Sequence, residues 1–344
     1  MRKKKLKILS IDGGGTRGII PATILNCIFE ETGKSPVDFF DIFAGTSTGG
    51  IIILSLGVGR KTYEIMELYL NGAKDIFKDN KIDDIRDIGN LIGAQYSQTN
   101  LKEFLKEAYE NQTMGDLNDR YDGKKHFMIP TFCLNPSDSK GRSHNFRPEV
   151  FNSYYIKCNN EKLVDLALRS SAAPTYFPMY QNYVDGGVAI NHPAMAAVSY
   201  AINHHESKKK SYCYHAPQKK GLELELKDLK VLSLGCGTSN GNFIPEEAIQ
   251  TGDWGILQWK DFLADMLIET NISSSEYYVK QVLAPENYLR CQLYFDRPDT
   301  PNTLRRKKIP MDVTDKKKLK AMKQYAIDYF AKNKKRIMDF IETD

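Results

Sequence analysis

Twice within its first 60 residues the chain reads as an apolar strand, a glycine turn and a helix. Leu6 to Ile11 alternates apolar and polar residues, Gly13-Gly14-Gly15 turns the chain, and Ile19, Ile20, Thr23, Ile24, Cys27 and Ile28 recur at helical spacing. The pattern repeats from Phe39 to Leu56, with a short strand ending near Ala44, a tight turn and an isoleucine-rich helix. Each helix carries the chain back so that the next strand starts at the same end of the sheet, and two such units in succession therefore predict parallel pairing. The expected class is α/β, with a largely parallel central sheet flanked by helices on both faces.

Further along, the spacing predicts mostly helix from Lys61 to Glu110, a strand over His126 to Leu134 and a helix from Leu163 to Ala173. Short strands are expected at Tyr183-Val184, Leu229 to Leu234 and Tyr288 to Tyr294. The polar stretch 204–222 reads as an exposed insertion, and 255–344 as a mainly helical C-terminal part whose last helix runs from Thr314 to Ile341. With 344 residues, 41% of them hydrophobic and 26% charged, the chain is expected to form one globular domain over 1–344.

Six cysteines without metal-ligand spacing fit reduced thiols, and no metal or cofactor is expected. The basic start is followed by an apolar run that Lys7, Ser10 and Asp12 interrupt at once, so no export signal is read and a cytoplasmic location is expected. A net charge of +5 with lysines clustered at 3–5, 208–210 and 316–318, and at Lys334 and Lys335 with Arg336, suits peripheral contact with anionic lipid. Nucleic acid is not expected, because no nucleic-acid-binding signature accompanies the lysines.

Gly45-Thr46-Ser47-Thr48-Gly49 matches G-x-S-x-G, a strained strand-to-helix turn that lifts a serine oxygen above a sheet edge. A second match, Gly237-Thr238-Ser239-Asn240-Gly241, also follows a predicted strand, but Pro245 comes soon after it where a helix should begin. Ser47 is therefore the nucleophile candidate. The earlier run Asp12-Gly13-Gly14-Gly15-Thr16-Arg17-Gly18 sits between a strand and a helix, where backbone N–H groups favour an anion.

Three anions compete for that loop. Gly13, Gly15 and Gly18 satisfy a dinucleotide fingerprint, with Glu30, Glu31 or Asp38 as the ribose acid, and Asp-Gly-Gly-Gly-Thr also resembles a kinase phosphate loop. The third is the oxyanion of acyl transfer, and only this one has a use for an exposed serine on the neighbouring strand. None of His126, His144, His192, His204, His205 and His215 stands in a recognisable catalytic context, and His192 reads as a cap or surface residue. Asp185, which ends an apolar strand before Gly186-Gly187, is the better base, acting directly if burial raises its proton affinity.

Asp12 to Gly18, Gly45 to Gly49 and Asp185 to Gly187, in that order, resemble the patatin-like phospholipase family, in particular a bacterial member, over roughly 5–234. The resemblance implies a three-layer fold, a Ser47–Asp185 dyad and an oxyanion hole at Gly14, Gly15 and Thr48. It assigns support to Gly13, Thr16, Arg17, Gly18, Gly45, Gly49, Gly186 and Gly187, with Arg17 bracing the loop. The implied reaction is metal-free hydrolysis of fatty acyl esters in membrane phospholipid. Some family members are antiphage effectors that a cyclic nucleotide activates, which makes such a nucleotide an expected small-molecule activator.

Overall fold

The computed structural model describes residues 4–77, 94–136, 145–204, 221–239, 244, 246–305 and 309–343. Seven strands form one sheet: β1 (Leu6–Ile11), β2 (Ile42–Gly45), β3 (His126–Cys133), β4 (Arg147–Asn152), β5 (Tyr183–Asp185), β6 (Leu229–Leu234) and β7 (Tyr288–Cys291). The order is β4-β3-β2-β1-β6-β7, with β5 paired to β3. The run β3-β2-β1-β6-β7 is parallel, and β4 and β5 are antiparallel to β3. β2 and β6 are buried at every position, so the alternation that marks a half-exposed strand is absent and both faces of the sheet are covered.

Most predicted elements are present. The second unit opens with a short helix, Pro36–Phe39, before β2, so its strand starts three residues later than the apolar pattern alone suggests. Ser35 caps that helix and Asp38 closes the capping box, which commits Asp38 to local structure. β4 lacks apolar alternation, and its sequence gives little sign of a strand. The C-terminal part is not purely helical, since β7 lies between the long helices Ile256–Val282 and Lys316–Glu342. Most of the stretch 204–222 lies outside the described residues. No helix among the described residues is long and apolar enough to cross a membrane.

The edge of β3 shared by two strands positions the site. Where β3 runs past the end of β2, its β2-side edge is taken up by β5, because β4 occupies the opposite edge over the same residues. Thr131 of β3 thus pairs with Glu149 on one side and Asp185 on the other. β2 and β5 arrive from opposite directions along one edge, and their carboxyl ends face each other. Close packing holds the turn after β2, because a methyl group at Gly49 would strike the carbonyl oxygens of Ile11 and Asp12. Gly49→Ala is expected to destabilise the protein by about 3 kcal/mol, read as a lowered midpoint in urea unfolding; an unchanged midpoint would mean that the turn yields freely.

Candidate active site

Ser47 stands at the turn between β2 and the helix Thr48–Gly57, with φ 54° and ψ −120°. A non-glycine residue is strained there, and such strain persists only where surrounding contacts enforce it. Part of that enforcement is a relay: the Ser47 N–H donates to Ser170 Oγ at 2.9 Å, and the Ser170 hydroxyl donates to the Pro130 carbonyl at 2.6 Å. Thr46 secures the preceding residue, its N–H donating to Ile11 O at 3.2 Å and its hydroxyl to Ile190 O at 2.6 Å. Ser47 also sits at the amino end of its helix, where the dipole favours negative charge.

Asp185 ends β5 opposite this turn and is buried. Its N–H donates to Ala172 O at 2.9 Å, and its Oδ1 accepts from the Gly187 N–H at 2.7 Å. Burial drives the carboxyl pKa up to about 6, against the opposing pull of hydrogen bonds from the Ser47 side chain and the Gly187 amide. The carboxyl, with a pKa of about 6, thus lines the same cavity as the serine.

The glycine loop supplies the third component. Gly13 N–H donates to Asn191 O at 3.1 Å and is used up, and Thr16 N–H donates to Met311 O at 2.7 Å. Among the described residues, the amides of Gly14, Gly15 and Thr48 have no acceptor. All three residues line one cavity of about 170 Å³ together with Ser47 and Asp185. Gly15 adopts φ +58°, and a side chain there would strike the Met311 carbonyl. Arg17 turns back on its own loop, with Nε donating to Gly14 O at 3.4 Å and one terminal nitrogen to Ile309 O at 3.5 Å.

Apolar side chains such as Ile51, Leu68, Ile76, Phe77 and Phe177 make up most of the cavity wall, and among the described residues Asp185 is its single charged one. No described lysine or arginine lines it for a polyphosphate to meet. Glu30 and Glu31 are exposed near the far end of helix Ile19–Thr32, away from the loop. Ser239 does not line the cavity, although the last two residues of its motif lie outside the described chain.

Asp12, read from sequence as part of the anion loop, faces away from it. Its carboxylate accepts from Arg290 at Oδ1 (3.0 Å) and again at Oδ2, and meets His192 Nδ1 at 2.8 Å. Burial alone would raise its proton affinity, but the charges of Arg290 and His192 outweigh it, and the pKa is lowered. His192 is neither a cap nor a surface residue: it is buried between Asp12 and Tyr288, whose hydroxyl lies 3.2 Å from Nε2. A polar residue at the start of an apolar helix suggested exposure, and the partner that buries it, Arg290 with Asp12, lies far away in sequence. Tyr69, also missed, bonds the Thr48 hydroxyl and donates to the Thr48 carbonyl at 3.2 Å from a π-helical turn, Leu68–Gly72.

Arg290→Met would leave Asp12 as a buried carboxylate without its main counter-charge. A loss of about 3–5 kcal/mol is expected, with partial recovery on adding Asp12→Asn. Equilibrium unfolding of the two single variants and the double variant measures both; additive losses would show that the pair is not coupled.

The family model described as patatin-like phospholipase matches residues 9–198. Patatin-like protein 2 of Oryza sativa subsp. indica is 31% identical over 289 residues, covering 74% of this chain and 66% of the rice protein, a little under two thirds of its length. The cGAMP-activated phospholipase of Pseudomonas aeruginosa strain BWHPSA011 / Pa011 is 29% identical over 287 residues, covering 82% of this chain and 77% of that protein. Among solved structures, VipD from Legionella pneumophila matches with 12% identity and a TM-score of 0.40 over 96% of this chain and 67% of that one. On the family match, which spans more than half of its residues, the chain belongs to the patatin-like phospholipase family.

Proposed function

We infer that the protein hydrolyses fatty acyl esters of membrane phospholipid through an acyl-enzyme intermediate, with Ser47 as nucleophile and Asp185 as general base. The observation that carries this reading is the meeting of a strained serine, one buried carboxyl and three unpaired amides in a single apolar cavity. Ser47 Oγ attacks the ester carbonyl as its proton passes to Asp185, and the amides of Gly14, Gly15 and Thr48 receive the developing oxyanion. Collapse of the tetrahedral intermediate returns that proton to the leaving alcohol. Water then attacks the acyl-enzyme with Asp185 again as base, releasing the fatty acid and restoring Ser47.

A carboxylate of ordinary pKa is a weak base, and one near 6 is better matched to neutral pH while remaining largely ionised there. The apolar walls suit an acyl chain, and Gly15, at the amino end of its short helical turn, is oriented for anionic charge. Membership of a phospholipase family supports the substrate class.

Activation by a cyclic nucleotide is a second reading, supported by the similarity to the cGAMP-activated phospholipase of P. aeruginosa. It predicts that vesicle hydrolysis rises on adding cGAMP, and equal rates across a panel of cyclic dinucleotides would remove it.

Release of fatty acid from phospholipid vesicles tests the main reading. Ser47→Ala and Asp185→Asn should each lose at least about a thousandfold in kcat/KM, while Ser239→Ala keeps wild-type activity. In the wild type kcat/KM should climb through about pH 6 to a plateau, because only the ionised Asp185 accepts a proton. Below about pH 4 the carboxyl is protonated folded or unfolded, and between about 4 and 6 only the unfolded chain releases the proton, so Asp185 lowers stability as pH rises. Asp185→Asn should therefore be inactive yet as stable as wild type or more so at pH 8, by up to about 3 kcal/mol. An active Asp185→Asn enzyme would remove the base from the mechanism.

A further inference from the structure

Two features at the carboxyl end of the sheet are unexplained by the fold. The first is the overshoot of helix Ile256–Val282, which has 27 residues and so is about 40 Å long. It links β6 and β7, strands of six and four residues that span about 20 Å and 13 Å. Its final turns pack on the domain, with Val279 fully buried, whereas its amino-terminal half extends past the strand ends. There Leu263, Met266 and Leu267 are 44%, 44% and 51% exposed, and Leu267 and Ile268 form part of the wall of the Ser47 cavity. Met179, two residues from the wall residue Phe177, is 62% exposed. Large apolar side chains close in sequence to the cavity wall are thus open to solvent.

The second feature is the helix Lys316–Glu342. It begins near the glycine loop, shortly after Met311 accepts from Thr16, and ends at the amino ends of the strands, where Lys7 Nζ donates to Ile341 O at 2.7 Å. Its first turn holds Lys316, Lys317 and Lys318 and no acid, and its last turn holds no base. The N-cap Asp315 supplies the favourable charge at this end, its carboxylate accepting from the Lys317 N–H at 2.7 Å, whereas the three ammonium groups gain nothing from the helix dipole. Among the described residues, no acidic partner pairs with any of the three ammonium groups. Cations without an acidic partner, five to seven residues after Met311, which lines the same cavity as Leu267 and Ile268, fit an anionic partner at that end of the molecule.

We propose that this end docks on an anionic phospholipid bilayer, with Leu263 and Met266 entering the acyl boundary and Lys316 to Lys318 meeting the headgroup phosphates. The proposal rests on the lipid hydrolase reading, and it lets a substrate chain pass from bilayer to Ser47 along apolar surface. It also separates the lysine clusters. Lys332, Lys335 and Arg336 line a polar groove with Lys5 and Lys230 at the amino ends of the strands, facing away from the docked membrane.

Sedimentation with vesicles of phosphatidylcholine, alone or mixed with phosphatidylglycerol, tests this beside hydrolysis of a soluble short-chain ester. Lys316→Ala with Lys317→Ala should weaken binding to the mixed vesicles about 25-fold, at roughly fivefold per lysine, without lowering thermal stability. Leu263→Glu with Met266→Glu should weaken binding to both vesicle types. Both variants keep wild-type rates on the soluble ester. A far-end variant, Lys332→Ala with Lys335→Ala and Arg336→Ala, should bind like wild type. Loss of binding in that variant, or wild-type binding in the other two, overturns the docking face. Wild-type protein that binds vesicles but cleaves neither lipid nor ester overturns the hydrolase reading instead, and sedimentation still reports on the face because it needs no turnover.

Discussion

The site depends on β2 and β5 sharing one edge of β3 from opposite directions. A parallel strand and an antiparallel strand that stop against each other bring two chain segments 138 positions apart, at Ser47 and Asp185, to the wall of one cavity. Neither segment could be shifted by one residue without turning its side chains to the other face of the sheet. The glycine turns on either side are a consequence of that crowding, because there is no room for side chains where two strand ends, a helix start and the loop after β1 converge.

Two buried carboxyls flank this junction and are treated in opposite ways. Asp12 is surrounded by Arg290 and His192 and is held ionised, a fixed charge that ties the end of β1 to β7. Asp185 has no cation beside it among the described residues, and burial pushes its pKa up to about 6. The first arrangement gives rigidity beneath the loop in which the Gly14 and Gly15 amides have no acceptor among the described residues. The second suits the proposed role of proton acceptor, for which a carboxyl is ordinarily too acidic near pH 7. Function on this reading comes from the difference in surroundings, since the two side chains are the same.

The parallel core was legible in the sequence because strand, glycine turn and helix alternate at short range, and local sterics set each of those signals. The motif around Ser47 could be separated from its copy at Ser239 by the residues just downstream, an apolar helix in one case and a proline in the other. Long-range partners were not legible. Nothing near Asp12 announces Arg290, nothing near His192 announces burial, and Tyr69 carries no motif although its hydroxyl holds Thr48. β4 was missed because an edge strand with Arg147, Pro148 and Glu149 has neither alternation nor β-branched residues in its first half. The exposed rim at Leu263 and Met266 was hidden for a related reason: a helical apolar stripe looks the same whether it packs on a core or meets a membrane.

The proposed chemistry turns on Ser47 as the nucleophile, activated by a carboxyl whose pKa burial raises to about 6. Labelling with a fluorophosphonate and then mapping peptides by mass spectrometry reads this directly. The expected result is an adduct on the peptide containing Ser47, forming faster as pH rises through about 6 and absent in Ser47→Ala. An adduct on Ser239, or a rate at Ser47 that ignores pH across that range, would contradict it.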